Sequence, residues 1–165
     1  MPTPISHAAV GYAIGAWSPR DIPASTRRVC LAAAACAALP DIDVIGFAPH
    51  RGITHSLTFA VVAAMVATVV LFPEARTRRT RLQLMLTLGI ALLSHGVLDA
   101  LTTYSLGIEF FAPFSQERFR FPWTPLGRPN GQLLNELVLE SLVLFVPAVV
   151  LAWLGVKRRR RVDPA

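Results

Sequence analysis

The chain has 165 residues, 53% of them hydrophobic and only 16% charged, with a mean hydropathy of +0.50. Soluble domains carry about a quarter charged residues, so this composition leans toward the membrane. The net charge of +6 does not describe a nucleic-acid surface. The basic residues form short runs beside apolar stretches, so no nucleic-acid partner is expected.

Five apolar segments follow in chain order. The first, residues 5–17, is short, contains His7 and lacks a charged leader region, so no cleaved signal peptide is expected. The second, 26–39, is alanine-rich. Its Cys30 and Cys36, six residues apart, point to different helix faces and read as packing residues, not as a disulfide or a zinc site. Two polar motifs come next, "LPDIDVIG" with Asp41 and Asp43, and "HRGITHS" with His50, Arg51 and His55. The third segment, 55–72, stopped by Pro73, reads as a transmembrane helix. The fourth, 82–104, carries His95 and Asp99.

After it comes a long segment, 107–130, with five phenylalanines, Trp123, Arg118, Arg120 and Arg128. Aromatic rings prefer the headgroup level and arginines there meet phosphates, so it reads as an interfacial anchor or a substrate lid. The fifth apolar segment, 132–156, holds Glu136 and Glu140 and leads into a basic tail, 157–165, expected to meet anionic lipid. The expected fold is an all-α, polytopic membrane helical bundle of about five helices, one domain over 1–156, with one long external loop. A span needs about 20 apolar residues. Segments three to five meet that length, whereas the first two are tilted, re-entrant or held against the others.

Lysine and arginine counts give the orientation. The 18–28 loop, the 74–81 loop and the tail hold 12 of the 16 basic residues, against Arg51, Arg118, Arg120 and Arg128 on the other face. The positive-inside rule then places the N-terminus outside and the C-terminus in the cytoplasm. Under that topology His7, Asp41, Asp43, His50, His55, His95, Asp99, Glu136 and Glu140 gather at the outer side. Ionisable groups inside a membrane are costly and mark functional sites.

His95 and Asp99 are one helical turn apart, about 40° around the axis, and face the same way. Such a pair suits a shared metal ion or a proton-transfer couple. Taken singly, Asp41 and Asp43 after Pro40 read equally well as a turn, and His7 as a satisfied helix-end group. Together, imidazole nitrogens and carboxylate oxygens from several helices read as a bundle metal site. Mixed N/O ligation without thiolate suits Zn2+ first and Mn2+ second, and six to eight donors allow two or three ions.

The motifs "SHAAVGYAIG", "LPDIDVIG", "HRGITHSL", "SHGVLDALTTYS" and "APFSQERF" resemble, in this order, the YdjM-like family of bacterial membrane-bound metal-dependent hydrolases. The resemblance covers residues 3–140. That family is distantly similar to zinc-dependent phospholipase C and the single-strand nucleases related to it, whose sites hold three zinc ions. The likeness implies a metal-dependent hydrolase acting on a phosphoester. It implies His7, an Asp of "PDID", His55, His95 and Asp99 as ligands. Where those enzymes have a His-x-x-x-Glu pair, this chain has Glu136-x-x-x-Glu140.

In such a hydrolase Asp41 or Asp43, with Glu136 behind them, takes the proton of the attacking water. His50, Arg51, Arg118 and Arg120 are the substrate-binding candidates, with Arg51 offering its planar fork to a phosphate. A membrane lipid or a lipid-linked phosphate is the substrate class expected, in the bacterial inner membrane. The alternative is an ion, proton or metal transporter using the same cluster, which requires polar groups spread through the whole depth.

Overall fold

A computed structural model describes residues 2–46, 50–102, 107–126 and 133–162, with the side chains of 160–162 left out. Helix α1 (Pro4–Ala16) starts at Thr3, whose hydroxyl accepts from the Ser6 amide, with proline in the first turn. Ser25 caps α2 (Thr26–Ala38) in the same way through the Arg28 amide. The chain then tightens into a 3₁₀ turn, Leu39–Ile45, ended by Gly46 at φ +92°, a left-handed conformation that glycine adopts without strain. A second 3₁₀ turn, Ile53–His55, leads into α3 (Leu57–Leu71), capped by Ser56. Thr77 caps α4 (Arg78–Ala100). Last come α5 (Leu133–Glu140), a π-helical turn (Ser141–Phe145) and α6 (Val146–Val162), which run on as one rod. The described residues thus form five helical rods and no strand, the all-α bundle expected.

Two rods, Arg78–Ala100 with 23 residues and Leu133–Arg159 with 27, are long and apolar enough to cross a bilayer. Helix α3 corrects an expectation. Read from sequence as a full span over 55–72, it is a 15-residue helix. That gives about 22 Å of helix against a hydrocarbon core of about 30 Å. Its start is set by the Ser56 hydroxyl, which accepts from the Phe59 amide, and this leaves His55 outside the helix.

Small residues bring the rods together. A Cβ on Gly11 would lie 2.4 Å from the Ala33 carbonyl oxygen, and one on Gly15 would lie 2.6 Å from Cys30 Cα. This Gly-x-x-x-Gly face lets the backbones of α1 and α2 touch, the usual route to helix association in lipid. Gly155 of α6 meets Ala16 likewise, with a would-be Cβ at 3.0 Å. Helices α2, α3 and α4 share an apolar core that includes Val29, Ala33, Ala64, Leu84 and Leu88. Outward, Val62, Val66 and Val69 of α3 and Leu142, Val149 and Trp153 of the last rod are exposed, an apolar belt fitted to acyl chains.

The bundle has two chemically distinct ends. At one, the C-terminal half of α4, the start of α1 and the two 3₁₀ turns gather the histidines and aspartates. At the other, Arg28 pairs with Glu74 at 2.7 Å and Arg79 with Asp21 at 3.1 Å. There Arg159 of α6 donates to the Ala16 carbonyl at 3.0 Å and to Ser18 Oγ at 2.8 Å.

Candidate metal centre

Helix α4 presents His95 and Asp99 to α1, which contributes His7. The His7 and His95 rings stack with centroids 3.8 Å apart, and His7 Nε2 lies 3.5 Å from Asp99 Oδ1. From the turn after α2, Asp41 Oδ1 comes within 3.4 Å of His95 Nε2. His55 Nε2 is 3.1 Å from the same nitrogen and 3.8 Å from Asp99 Oδ2. His95 Nδ1 donates to the Ala37 carbonyl at 2.7 Å. That bond fixes the tautomer and leaves Nε2 with its lone pair toward the cluster. Close approach of the 3₁₀ turn to α4 requires Gly96, where a Cβ would lie 3.2 Å from the His55 carbonyl oxygen.

Asp43 organises the turn that bears His55. It accepts from Thr54 Oγ1 at 2.7 Å and from the Arg51 amide at 3.2 Å, and His50 Nδ1 lies 2.6 Å away. Burial pushes the Asp43 carboxyl up, but the bonds from Thr54 and His50 outweigh it and leave it below its ordinary value. Burial, aided by the neighbouring His95, pushes the His55 imidazole down to about 4 against the pull of Asp99 and Asp43. A neutral imidazole and an ionised carboxylate are the forms that bind metal.

Arg51 is buried, with a positive φ of 64°, and its Nε lies 3.1 Å from Asp99 Oδ2. A left-handed arginine carries backbone strain, which the bond from its own amide to Asp43 helps to hold. The side chain expected to face a substrate phosphate is thus packed within the cluster.

Among the described residues, three groups have donor atoms close enough to hold an ion: His7, His95 and Asp99; Asp41, His55 and His95; Asp43, His50 and His55. Both ring nitrogens of His7 and both carboxylate oxygens of Asp41 and of Asp99 are buried without a hydrogen-bond partner. The Arg51–Asp99 pair is close but lacks hydrogen-bond alignment. Orphaned buried polar atoms cost free energy, and a cation among them removes that cost. The residues therefore fit a metal, with an imidazole and carboxylate donor set. Cys30 and Cys36 are free and buried within α2.

Glu140, one turn beyond Glu136, accepts from the Thr3 amide at 2.6 Å and from Thr3 Oγ1 at 2.7 Å, which fastens the last rod to the start of α1. Glu136 is buried. Neither glutamate belongs to the three groups found among the described residues. Arg118 pairs with Glu109 at 2.6 Å, while Arg120 is exposed beside Phe110, Phe119 and Phe121 in a cavity of 340 Å³. Arg128 lies outside the described residues. The 107–126 segment closes on this end, with the Leu57 amide donating to Phe110 at 2.9 Å and the Glu109 amide to Arg51 at 3.3 Å. Thr54 was not foreseen, and only its place beside His55 could have drawn attention to it. His50, foreseen as a substrate contact, stands among the potential ligands; its side chain, 36% exposed, is the most open of them.

The family described as YdjM inner membrane protein matches the chain over residues 1–161. Inner membrane protein YbcI of Escherichia coli (strain K12) is 39% identical over 178 residues, covering 97% of this chain and 100% of that protein. No solved structure matches.

Proposed function

Because this chain belongs to the YdjM family of inner membrane proteins, we propose that its buried cluster serves a membrane-embedded, metal-dependent hydrolase acting on a phosphoester. The observation that carries the reading is the convergence of His7, Asp41, His55, His95 and Asp99 with six of their donor atoms orphaned in the interior. Purely structural histidines and aspartates would be satisfied by hydrogen bonds. A bound divalent ion, zinc before manganese, supplies Lewis acidity toward a phosphoryl oxygen and acidifies water.

The chain's own residues divide the remaining work. Asp41, both of whose oxygens lack hydrogen-bond donors, takes the proton of the attacking water, whereas the Asp43 oxygens are engaged by His50, Thr54 and the Arg51 amide. Arg51 stands beside Asp99 and offers its guanidinium N–H groups to the phosphate. The ring of Phe110, Phe119 and Phe121 with Arg120 suits a lipid or lipid-linked phosphate at the headgroup level. The positive-inside rule puts this end outside the cytoplasm. Ion transport is the weaker reading, because the described ionisable groups gather at the two ends and leave the middle of the rods apolar.

The test is elemental mass spectrometry on detergent-purified protein, beside His95→Ala/Asp99→Ala and the milder Asp41→Asn. Near-stoichiometric zinc or manganese in the parent, lost in the double variant, is the expected result. Asp41→Asn is expected to abolish release of phosphate or headgroup from phospholipid and lipid-linked phosphate substrates. No metal in any sample, even after reconstitution with both ions, overturns the reading.

A further inference from the structure

The far end of the bundle holds two adjoining cavities that the metal centre does not use. A groove of 740 Å³ runs between α4 and the last rod, floored by α1, and is lined by apolar side chains such as Val10, Ile90, Val143 and Leu151. It opens on the apolar belt of the bundle. At its basic end Trp17, Ser18 and Pro19 also line a second cavity of 330 Å³, bounded by Arg20, Arg158 and Arg159. One cavity is built for hydrocarbon and the next for an anion, and they share a wall.

The arginines are not equivalent. Arg159 clamps Ala16, Ser18 and Thr26 and so shapes the cavity. Arg20 and Arg158 are exposed, and among the described residues neither pairs with a carboxylate. Asp21, the nearest acid in sequence, is engaged by Arg79 and by the Gln83 amide. Gln83 lines the groove, and its amide oxygen is buried without a hydrogen-bond donor. Arg158 lies 5.4 Å over the Trp17 ring, and Trp17 donates to the Leu151 carbonyl at 2.9 Å, which holds the indole at the junction.

We propose that this junction binds one anionic phospholipid, an acyl chain in the α1/α4/α6 groove and the phosphate on Arg20 and Arg158. A zwitterionic lipid brings its own cation to a place that already holds three, whereas an anionic headgroup complements them. Basic pockets between membrane helices select anionic headgroups on these grounds. The site stands at the opposite end from the metal cluster and does not depend on the hydrolase reading.

Trp17 provides the measurement. In a Trp123→Phe/Trp153→Phe protein it is the only tryptophan left, and both replaced residues are exposed and line neither cavity. The protein is held in phosphatidylcholine nanodiscs and titrated with phosphatidylglycerol or phosphatidylcholine bearing the same brominated acyl chains. The expected result is quenching of Trp17 at a lower mole fraction of phosphatidylglycerol, by roughly fivefold for each arginine that meets the phosphate. Arg20→Gln/Arg158→Gln, which leaves the Arg159 clamp intact, is expected to erase the difference. Val143→Phe, which fills the groove, is expected to reduce quenching by phosphatidylglycerol. Equal quenching by the two lipids, or a preference that survives the arginine changes, overturns the proposal.

Discussion

Thr54 touches no substrate and is no ligand, yet it bonds Asp43 and lies 3.0 Å from His55 Nδ1. Groups in this position orient ligands, and their loss costs about 10–100-fold in metal affinity. Thr54→Val keeps the side-chain shape and removes the hydroxyl. Chelator competition is expected to show weakened zinc binding within that range, while the helical circular dichroism stays unchanged. A matching change at Thr68, whose hydroxyl bonds the Ala64 carbonyl in the last turn of α3, is expected to leave metal affinity alone.

At the scale of elements, the glycines separate contact from spacing. Gly11→Ala would drive a methyl group into the Ala33 carbonyl and force α1, with its His7, off α2. Overpacking of this kind costs about 1–3 kcal/mol, read as a lower midpoint of thermal unfolding in detergent and weaker metal retention. Gly89→Ala meets only Ala64 Cβ at an ordinary 3.7 Å. It is expected to raise the midpoint, since alanine in a helix interior is favoured over glycine by up to about 1 kcal/mol. The same scale shows what the sequence could tell. Apolar runs and capping hydroxyls mark the rods to within a few residues, and i, i+4 spacing puts His95 and Asp99 on one face. Glu136 and Glu140 have that spacing too, but Glu140 turns to Thr3, because the first amides of α1 need an acceptor. Spacing says which residues share a face, not what stands opposite. For the same reason Thr54 and the inward turn of Arg51 were illegible: both follow from a loop conformation that no helix or strand period encodes.

For the whole molecule, the separation of a histidine and aspartate end from an arginine end makes orientation testable. In a Cys30→Ala/Cys36→Ala background, Arg120→Cys and Arg79→Cys place one thiol at each end. An impermeant maleimide added to intact spheroplasts is expected to label position 120 and spare 79, with both labelled once the membrane is opened. Labelling of position 79 from outside would invert the molecule and put the cluster in the cytoplasm. Individual pairs such as Arg79–Asp21 are exposed and add little to stability, so the basic end acts through its total charge.

The bond from His95 Nδ1 to the Ala37 carbonyl also sets a stoichiometry. A neutral imidazole has a single lone pair, so neither His95 nor His55 can serve two cations at once. The three ligand groups overlap like links, the middle one sharing His95 with the first and His55 with the last. Filling the middle link therefore empties both neighbours, whereas the outer two have no residue in common and can fill together. Three ions at once are then excluded, and a second can enter only where the middle link stands empty.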